Sequence, residues 1–503
     1  MGAGELRVRI AIDTPLFAFS NDIADVVRLF YGEGAAVPAG EACDARLLHT
    51  HVMKDGAWHE MFALTCGEER RAEEMSAPAV FGGLEEKRQL KRLIKRCCYR
   101  LFKEYTGRRP AWGSLTGIRP TRLYYQQLER GLSRADARAQ LAALFDLSEE
   151  KLDLLDEILD AQSGFIDRDA NACDLYIGIP FCTTRCAYCS FSSGEIGDGK
   201  LVEPYLTALF YEIDACAQMA AEFGLDVRVG YVGGGTPSSL TTGQLDRLLS
   251  HMQTRFGRLE ELTVEAGRPD TLDRDKLAML RAHPVTRISV NPQTMNDGTL
   301  ARIGRAHTSA QTVKAYELAR ELGFDDINMD VIAALPGEDI GMFESTLERV
   351  TRLAPDSLTV HTLAIKRSSR LHEQGYRPSE TDVSRMVALG REAAHQMGMR
   401  AYYLYRQKYM AENMENVGYA REGRICRYNI DNMEETTSVL ALGAGGISKC
   451  VMRREEKILR APNIANIAQY IERVDEMIER KRAAFASKAR TLRKGEIARG
   501  DQG

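Results

Sequence analysis

Ile179-Pro-Phe-Cys182-Thr-Thr-Arg-Cys186-Ala-Tyr-Cys189-Ser-Phe191 is the stretch on which the reading of this chain turns. Its C-x3-C-x2-C spacing puts three thiols on one short loop, where they can hold three corners of a [4Fe–4S] cube. Clusters of this size usually take four cysteines. With three, one iron keeps an open position, as catalytic metal sites do and closed structural sites do not. The amine and carboxylate of an amino acid could fill that position. The spacing differs from the ferredoxin run, in which a fourth cysteine and a proline follow closely. It differs also from zinc knuckles, since no second C-x2-C pair and no H-x3-H follows. The alternative is three unrelated core cysteines, a common place for free thiols. The motifs downstream favour the cluster.

Around this loop the chain is an ordinary globular sequence. Its 503 residues are enough for more than one domain, and the net charge of −4 does not argue for nucleic acid or an anionic membrane as main partner. No run approaches the length of a membrane span, and the first residues lack the apolar stretch of a signal peptide. The cysteines outside the loop (Cys43, Cys66, Cys97, Cys98, Cys173, Cys216, Cys426, Cys450) are scattered and bring the total to an odd 11, which is not a disulfide framework. A reducing, cytoplasmic compartment is expected.

Working outward, residues 1–168 read as an N-terminal α/β domain of unknown role, with strands at Leu6–Ile12 and His59–Leu64 and helices at Asp22–Tyr31, Leu84–Tyr105, Ser133–Asp146 and Ser148–Gln162. The Leu84–Tyr105 helix is strongly basic, with an apolar stripe of Leu90, Leu93, Ile94 and Leu101. That pattern is a solvated face opposite a core face, or an anion-binding surface. From Asp174, apolar strand-like runs (Leu175–Ile179, Val227–Val232, Leu262–Glu265, Arg287–Asn291, Asp326–Ile332, Ser357–Leu363) alternate with helical stretches. Such βα units imply a parallel sheet with right-handed crossovers. The expected fold class is α/β: a partial (βα)6 barrel over 169–375, flanked by the N-terminal domain and a C-terminal α+β extension over 376–503. The extension would hold helices at 381–397 and 463–485, a strand at Ala401–Tyr405, and a polar, basic, disordered tail from Lys488. In parallel barrels chemistry gathers at the C-terminal strand ends, where Cys182, Gly233-Gly234-Gly235-Thr236-Pro237 and Glu265 fall.

The cysteine loop resembles that of the radical S-adenosylmethionine (SAM) superfamily. That resemblance implies a cluster held by Cys182, Cys186 and Cys189, with SAM chelated at the open iron and cleaved to a 5′-deoxyadenosyl radical. Gly233–Thr236 is similar to the family's GGE-type motif, whose backbone binds the SAM amino group, and Glu265 matches its ribose-binding carboxylate. Within the superfamily, Y-I-x-I-P-F-C, C-x-Y-C, GGGTP, N-x-D-x-I-x-x-L-P-G and Leu442-Gly-Ala-Gly-Gly446 resemble the oxygen-independent coproporphyrinogen III oxidase family. Gly113–Pro120, Val264–Asp270, His361–Lys366 and Tyr405–Lys408 look most like its HemZ-type branch, the coproporphyrinogen dehydrogenases. The resemblance spans roughly 110 to 465.

The family implies oxidative decarboxylation of two propionates of coproporphyrinogen III to vinyl groups, giving protoporphyrinogen IX in haem biosynthesis. Tyr176 and Glu265 match positions near the cluster-bound SAM. Tyr188, Gln293, Arg305, Asp330 and Ala364 match positions that line a second SAM. Candidates for pairing with the tetrapyrrole carboxylates are Lys366, Arg367, Arg406 and Lys408, since cations bind carboxylates strongly. The expected partners are the tetrapyrrole and a small electron-donor protein, with the chain a monomer that needs neither membrane nor nucleic acid. Two positions depart from the best-known oxidase branch: its fourth cysteine is Phe191 here, and the His of its Y-x-H-I-P-F-C context is Gly178. Three other readings follow: a haem-binding chaperone of the same superfamily, a radical SAM enzyme that methylates and opens haem, and, from the basic helix, an RNA-modifying enzyme.

Overall fold

The structure is a computed structural model. It describes residues 8–117, 119–166, 169–191, 193–376, 382–453 and 457–500, with backbone alone from 491. The expected first strand begins partly outside the described residues. The chain forms two compact units, Met1–Asp156 with Arg406–Met414, and Glu157–Tyr405 with Glu415–Gly503.

The second unit is built on six parallel strands in sequence order: β1 (Ala172–Ile179), β2 (Asp226–Gly234), β3 (Glu261–Glu265), β4 (Arg287–Ser289), β5 (Ile327–Ala333) and β6 (Ser357–Thr362). Leu175, Ile177, Ile179, Val264, Ile288 and Val331 are fully buried, as expected for strands covered on both faces. The crossover helices start where local chemistry dictates. Thr241 and Gln244 form a capping box for helix Thr242–Phe256, and Thr308 and Gln311 form one for Ser309–Glu321.

Strands from the C-terminal third close both edges of this arc. β7 (Arg400–Tyr405) and β8 (Asn416–Ala420) add antiparallel beyond β6. β9 (Ser438–Leu442) lies parallel to β1, and β10 (Ile447–Met452) and β11 (Lys457–Pro462) follow antiparallel. The result is one 11-stranded sheet. The expected separate domain over 376–503 is therefore not separate: an open arc leaves unpaired backbone groups at each edge, and these strands satisfy them. The expected disordered tail from Lys488 also needs correction. A helix runs over Val474–Gly500, Phe485 is buried at 1% exposure, and Lys488 is buried with its ammonium donating to Ser438 Oγ at 2.8 Å. Among the described residues no helix is long and apolar enough to cross a membrane.

The first unit has a five-stranded sheet in the order Ala36–Pro38, Ile10–Asp13, Ala45–Lys54, Ala57–Cys66, Glu69–Pro78. Its border falls at Asp156, inside helix Glu149–Ala161, rather than at 168. Helix Gly83–Thr106 buries Leu93, Ile94, Cys97, Cys98, Leu101 and Phe102, so its basic residues form the opposite face. The edge strand Glu69–Pro78 escaped the sequence reading because it is mostly charged and exposed, a composition that protects an edge from further pairing.

Candidate active site

β1 ends at Ile179, and the next turn carries Phe181–Cys182 into a short parallel pairing with Gly194–Glu195. The loop that follows is held from several strand ends. Ala187 N donates to Ile303 O at 2.9 Å and Thr184 Oγ1 to Gly304 O at 3.0 Å. Arg185 Nη2 donates to Ser368 O at 2.7 Å, and Leu371 N to Ala187 O at 3.0 Å. Cys186 is buried, and Cys182 and Cys189 are half-buried. The Cys189 thiol is pushed up by burial and by Cys186 and Cys182, against hydrogen bonds from the Phe191 backbone and Ser193. Cys186 and Cys182 therefore both lie within electrostatic reach of Cys189. Among the described residues no group of His, Cys, Asp or Glu is gathered to hold a single metal ion. A cube is larger and takes each thiolate at a different iron.

β2 delivers the glycines to this loop. Gly235 N donates to Ile179 O and Thr236 N to Phe181 O, both at 2.8 Å, and Thr236 Oγ1 lies 3.5 Å from Cys182 Sγ. A Cβ on Gly235 would meet Phe181 O at 2.7 Å and Cys182 Sγ at 3.0 Å. Gly234 has φ +115, which side-chain-bearing residues rarely adopt. A Cβ on Gly233 would meet Tyr231 at 2.8 Å and the Glu265 carboxyl at 3.0 Å. The backbone thus passes the sulfur and the carboxyl at distances only glycine permits.

Glu265 closes β3 and accepts from Tyr231 Oη at 2.6 Å. Burial pushes its carboxyl up to about 7. The Tyr231 hydrogen bond opposes that rise and the nearby Asp330 carboxylate adds to it. Tyr176, Tyr231 and Tyr428 stack beside it, with ring centroids 6.3, 6.1 and 4.6 Å apart. Tyr428 comes from the C-terminal third and was not singled out in the sequence, because nothing local marks a residue whose role is to complete a stack.

After β4 the chain lines a second polar wall. Ser289, Asn291 and Gln293 are each more than nine-tenths buried, yet Ser289 Oγ, Asn291 Oδ1 and Gln293 Oε1 have no hydrogen-bond partner. Gln293 sits at φ +64, locked by Gln293 N to Asp330 O and Ile332 N to Gln293 O, both 2.9 Å. Asp330 accepts from Asn291 Nδ2 at 2.7 Å and Asn328 Nδ2 at 2.8 Å, and faces His361 Nε2 at 3.7 Å. Burial would raise its carboxyl, but His361 and these hydrogen bonds hold it below its ordinary value. Arg305 donates to Tyr188 Oη at 3.2 Å, to Gly267 O at 2.7 Å and to Asn291 O at 3.0 Å. Ala364 follows β6. The strand ends thus present a glycine cradle beside Cys182 and a row of buried, unsatisfied polar atoms, and this donor set fits a cluster with a polar organic ligand.

Residues 176–350 match the radical SAM superfamily. The oxygen-independent coproporphyrinogen-III oxidase-like protein HemZ of Bacillus subtilis is 38% identical over 404 residues, 78% of this chain and 81% of that protein. The chain belongs to this HemZ-type, coproporphyrinogen oxidase-like family of radical SAM proteins. The heme chaperone HemW of Lactococcus lactis is 35% identical over 194 residues, 38% of this chain and 49% of that one. Among solved structures, the radical SAM enzyme coproporphyrinogen III oxidase (HemN) of Escherichia coli shares the fold. Its TM-score is 0.51 at 24% identity, over 66% of this chain and 74% of that one. Membership of the superfamily implies a [4Fe–4S] cluster and SAM as cofactors.

Against that frame the four basic candidates divide. Lys366 is half-buried; burial lowers its ammonium, and the nearby Cys189 raises it. Arg367 is exposed in the same loop, whose Ser368 and Leu371 hold the cysteine loop. Arg406 and Lys408 belong to the first unit. Arg406 is buried there, donating to Leu115 O and Asn413 O at 2.7 Å, to Gly117 O at 3.3 Å and to Met414 O at 3.5 Å, over the Trp112 ring. Lys408 faces Asp25 at 3.3 Å. The structure thus gives Arg406 carbonyl partners rather than a free guanidinium, because the Arg406–Met414 segment folds into the first unit.

Proposed function

We propose that this chain is a radical SAM oxidoreductase that decarboxylates two propionates of coproporphyrinogen III to vinyl groups, giving protoporphyrinogen IX. The observation that carries the reading is the second polar wall: three neighbouring side chains after β4, each nearly fully buried, each with an unsatisfied polar atom. Buried polar groups without partners are costly and rare, and three in one row after β4 support a polar ligand at this wall. A second SAM fits that chemistry.

Cys182, Cys186 and Cys189 would hold the cluster. Bound there with SAM, it supplies one electron and a carbon radical able to take hydrogen from an unactivated C–H bond. The glycine cradle offers backbone groups to the methionine end. Glu265 would accept from the ribose hydroxyls, and the Tyr176–Tyr231–Tyr428 stack would form an apolar wall that keeps water from the reacting atoms. Gln293, Arg305, Asp330, Tyr188 and Ala364 line the second ligand. Lys366 and Arg367 pair with propionate carboxylates. Each propionate loses one hydrogen atom, CO2 and one electron. A small electron-donor protein would supply the cluster's electron, and a separate acceptor would take the electron that the substrate gives up.

A second reading, haem binding without turnover, is favoured by one observation: a relative 35% identical over its matched region is named a heme chaperone. One experiment separates the two. The cluster is reconstituted anaerobically, SAM, reductant, acceptor and coproporphyrinogen III are added, and 5′-deoxyadenosine and tetrapyrrole mass are followed together. Loss of two carboxyls, abolished in Cys186→Ala, is the expected result. Deoxyadenosine without change in the tetrapyrrole refutes that substrate. S-adenosylhomocysteine would point instead to methyl transfer, and tight haem binding without turnover to the chaperone.

A further inference from the structure

One buried cation touches the cysteine loop without belonging to any role described above. Arg268 follows β3 and is 3% exposed. Its guanidinium is fixed in direction: Nε and Nη2 donate to the two carboxylate oxygens of Asp270 at 3.0 and 3.1 Å, a bidentate pair. Nη2 also reaches Thr184 Oγ1 at 3.0 Å, and Nη1 reaches Thr184 O at 3.3 Å. The remaining direction of Nη1 points at Cys186 Sγ, 3.8 Å away. Asp270 accepts from Thr183 Oγ1 at 3.2 Å and faces His307 Nδ1 at 3.7 Å, and it is held well below the ordinary carboxylate range. The carboxylate stays charged and keeps Arg268 in place.

We infer that Arg268 is a positioning and tuning residue that sets the reduction potential of the cluster through Cys186. This rests on the cluster assignment and not on the identity of the substrate. Reduction adds one electron, hence one negative charge, to the cluster. Iron–sulfur potentials respond to net charge, to hydrogen bonds at the sulfurs and to solvent exposure. A buried, fixed guanidinium N–H aimed at a ligand sulfur favours the reduced state more than the oxidised one. A lysine is not equivalent in shape but keeps the charge. Arg274 offers the complementary control, because it carries the same charge at an exposed position paired with Glu321.

The test is a redox titration of the reconstituted full-length protein without SAM, read by the electron paramagnetic resonance signal of the reduced cluster, with iron and sulfide counted for each variant. Arg268→Gln is expected to shift the reduction equilibrium at least tenfold toward the oxidised form, about 59 mV lower for a one-electron couple. Arg268→Lys, which keeps the charge, and Arg274→Gln, which removes an exposed charge paired with Glu321 away from the cysteine loop, are expected to stay near the wild-type potential. If Gln at 268 fails to hold four irons, Arg268→Lys decides: a full cluster at the wild-type potential supports the inference, and loss of the cluster there overturns it in favour of a purely structural clamp. Equal potentials in wild type and Arg268→Gln, or the same shift in Arg274→Gln as in Arg268→Gln, also overturn it. A wild-type protein that binds no cluster under these conditions would refute the cluster assignment itself, a different outcome from an unmoved potential.

Discussion

Replacing Gly235 by Ala tests the cradle with a single methyl. The added Cβ would lie 2.7 Å from Phe181 O and 3.0 Å from Cys182 Sγ, against 3.4 Å for ordinary contact, so the chain must open by about 0.4–0.7 Å. Neither neighbour is the end of a flexible side chain: one is backbone and the other is on the cluster loop. Overpacking of this kind costs about 1–3 kcal/mol. A displacement of about 1 Å at a reacting centre can cost about 100-fold in rate, so a shift of half that size should cost at least about tenfold. The expectation is that iron content or deoxyadenosine formation falls tenfold or more, while Tm falls by no more than about 6 °C, since about 1–2 °C accompany each kcal/mol in a unit of this size. The assay is iron per chain, then deoxyadenosine per chain under single-turnover reduction, then a thermal melt. Gly243→Ala is the control, with nothing within 4 Å of the new methyl and a helical position that favours Ala. A Gly235→Ala protein with full iron and undiminished deoxyadenosine would refute the argument that close backbone approach to Cys182 shapes the site.

Glu265 should make stability depend on pH. Its folded carboxyl is raised to about 7 from 4.5, so the stability it contributes is full below 4.5 and is lost as pH rises through about 7; Glu265→Gln should flatten that fall in urea midpoints between pH 5 and 8. SAM affinity, measured calorimetrically on the loaded protein, should rise over the same interval as the carboxylate forms. Lys481 and Glu212 are paired at 2.6 Å with both side chains fully buried, and Glu212 also accepts from Tyr470 Oη and Gly443 N at 2.7 Å. Lys481→Met leaves that carboxylate without its counter-charge and should destabilise by about 3–5 kcal/mol in urea unfolding. Arg406→Ala should cost about 1.5–3 kcal/mol, from lost hydrogen bonds to a charged group, with no change in KM for the tetrapyrrole; a raised KM at unchanged stability would return Arg406 to the substrate site.

The six core strands were legible because parallel strands covered on both faces read as apolar runs, and Leu175–Ile179 or Ser357–Leu363 carry that signal without help from the rest of the chain. The cysteine loop and the glycine run were legible because their chemistry is written in spacing. What escaped is tertiary. Ser438–Leu442 is five residues long and fully buried, yet nothing local says that it lies beside β1. Phe485 falls within the expected helix over 463–485, but the continuation through Lys488 reads as a tail, because a mean over polar residues hides the one lysine that finds Ser438. Arg268 and Asp270 stand inside a quoted motif, but the reach of Arg268 back to Thr184 and Cys186 spans two βα units. Arg406 and Lys408 lie in a run that resembles the family's and carry the charge a carboxylate would need, which suggested a place at the site. The fold instead returns those few residues to the first unit.

The two halves of the site differ in a way that bears on what can fill them. The cysteine loop is fastened by hydrogen bonds from the loops after β3, β4 and β6, and the cradle after β2 leaves no room for a side chain. Its shape therefore does not wait for a ligand. The wall after β4 is the opposite: rigid in backbone, since Gln293 is pinned to β5 on both sides, but unsatisfied in its side-chain atoms. Each unmet buried polar group costs about 1–3 kcal/mol, a strain that a ligand with matching donors and acceptors would relieve on binding. An apolar macrocycle cannot do that. A ligand that meets Ser289, Asn291 and Gln293 must therefore bring polar groups of its own, such as an amino-acid, ribose or carboxylate end.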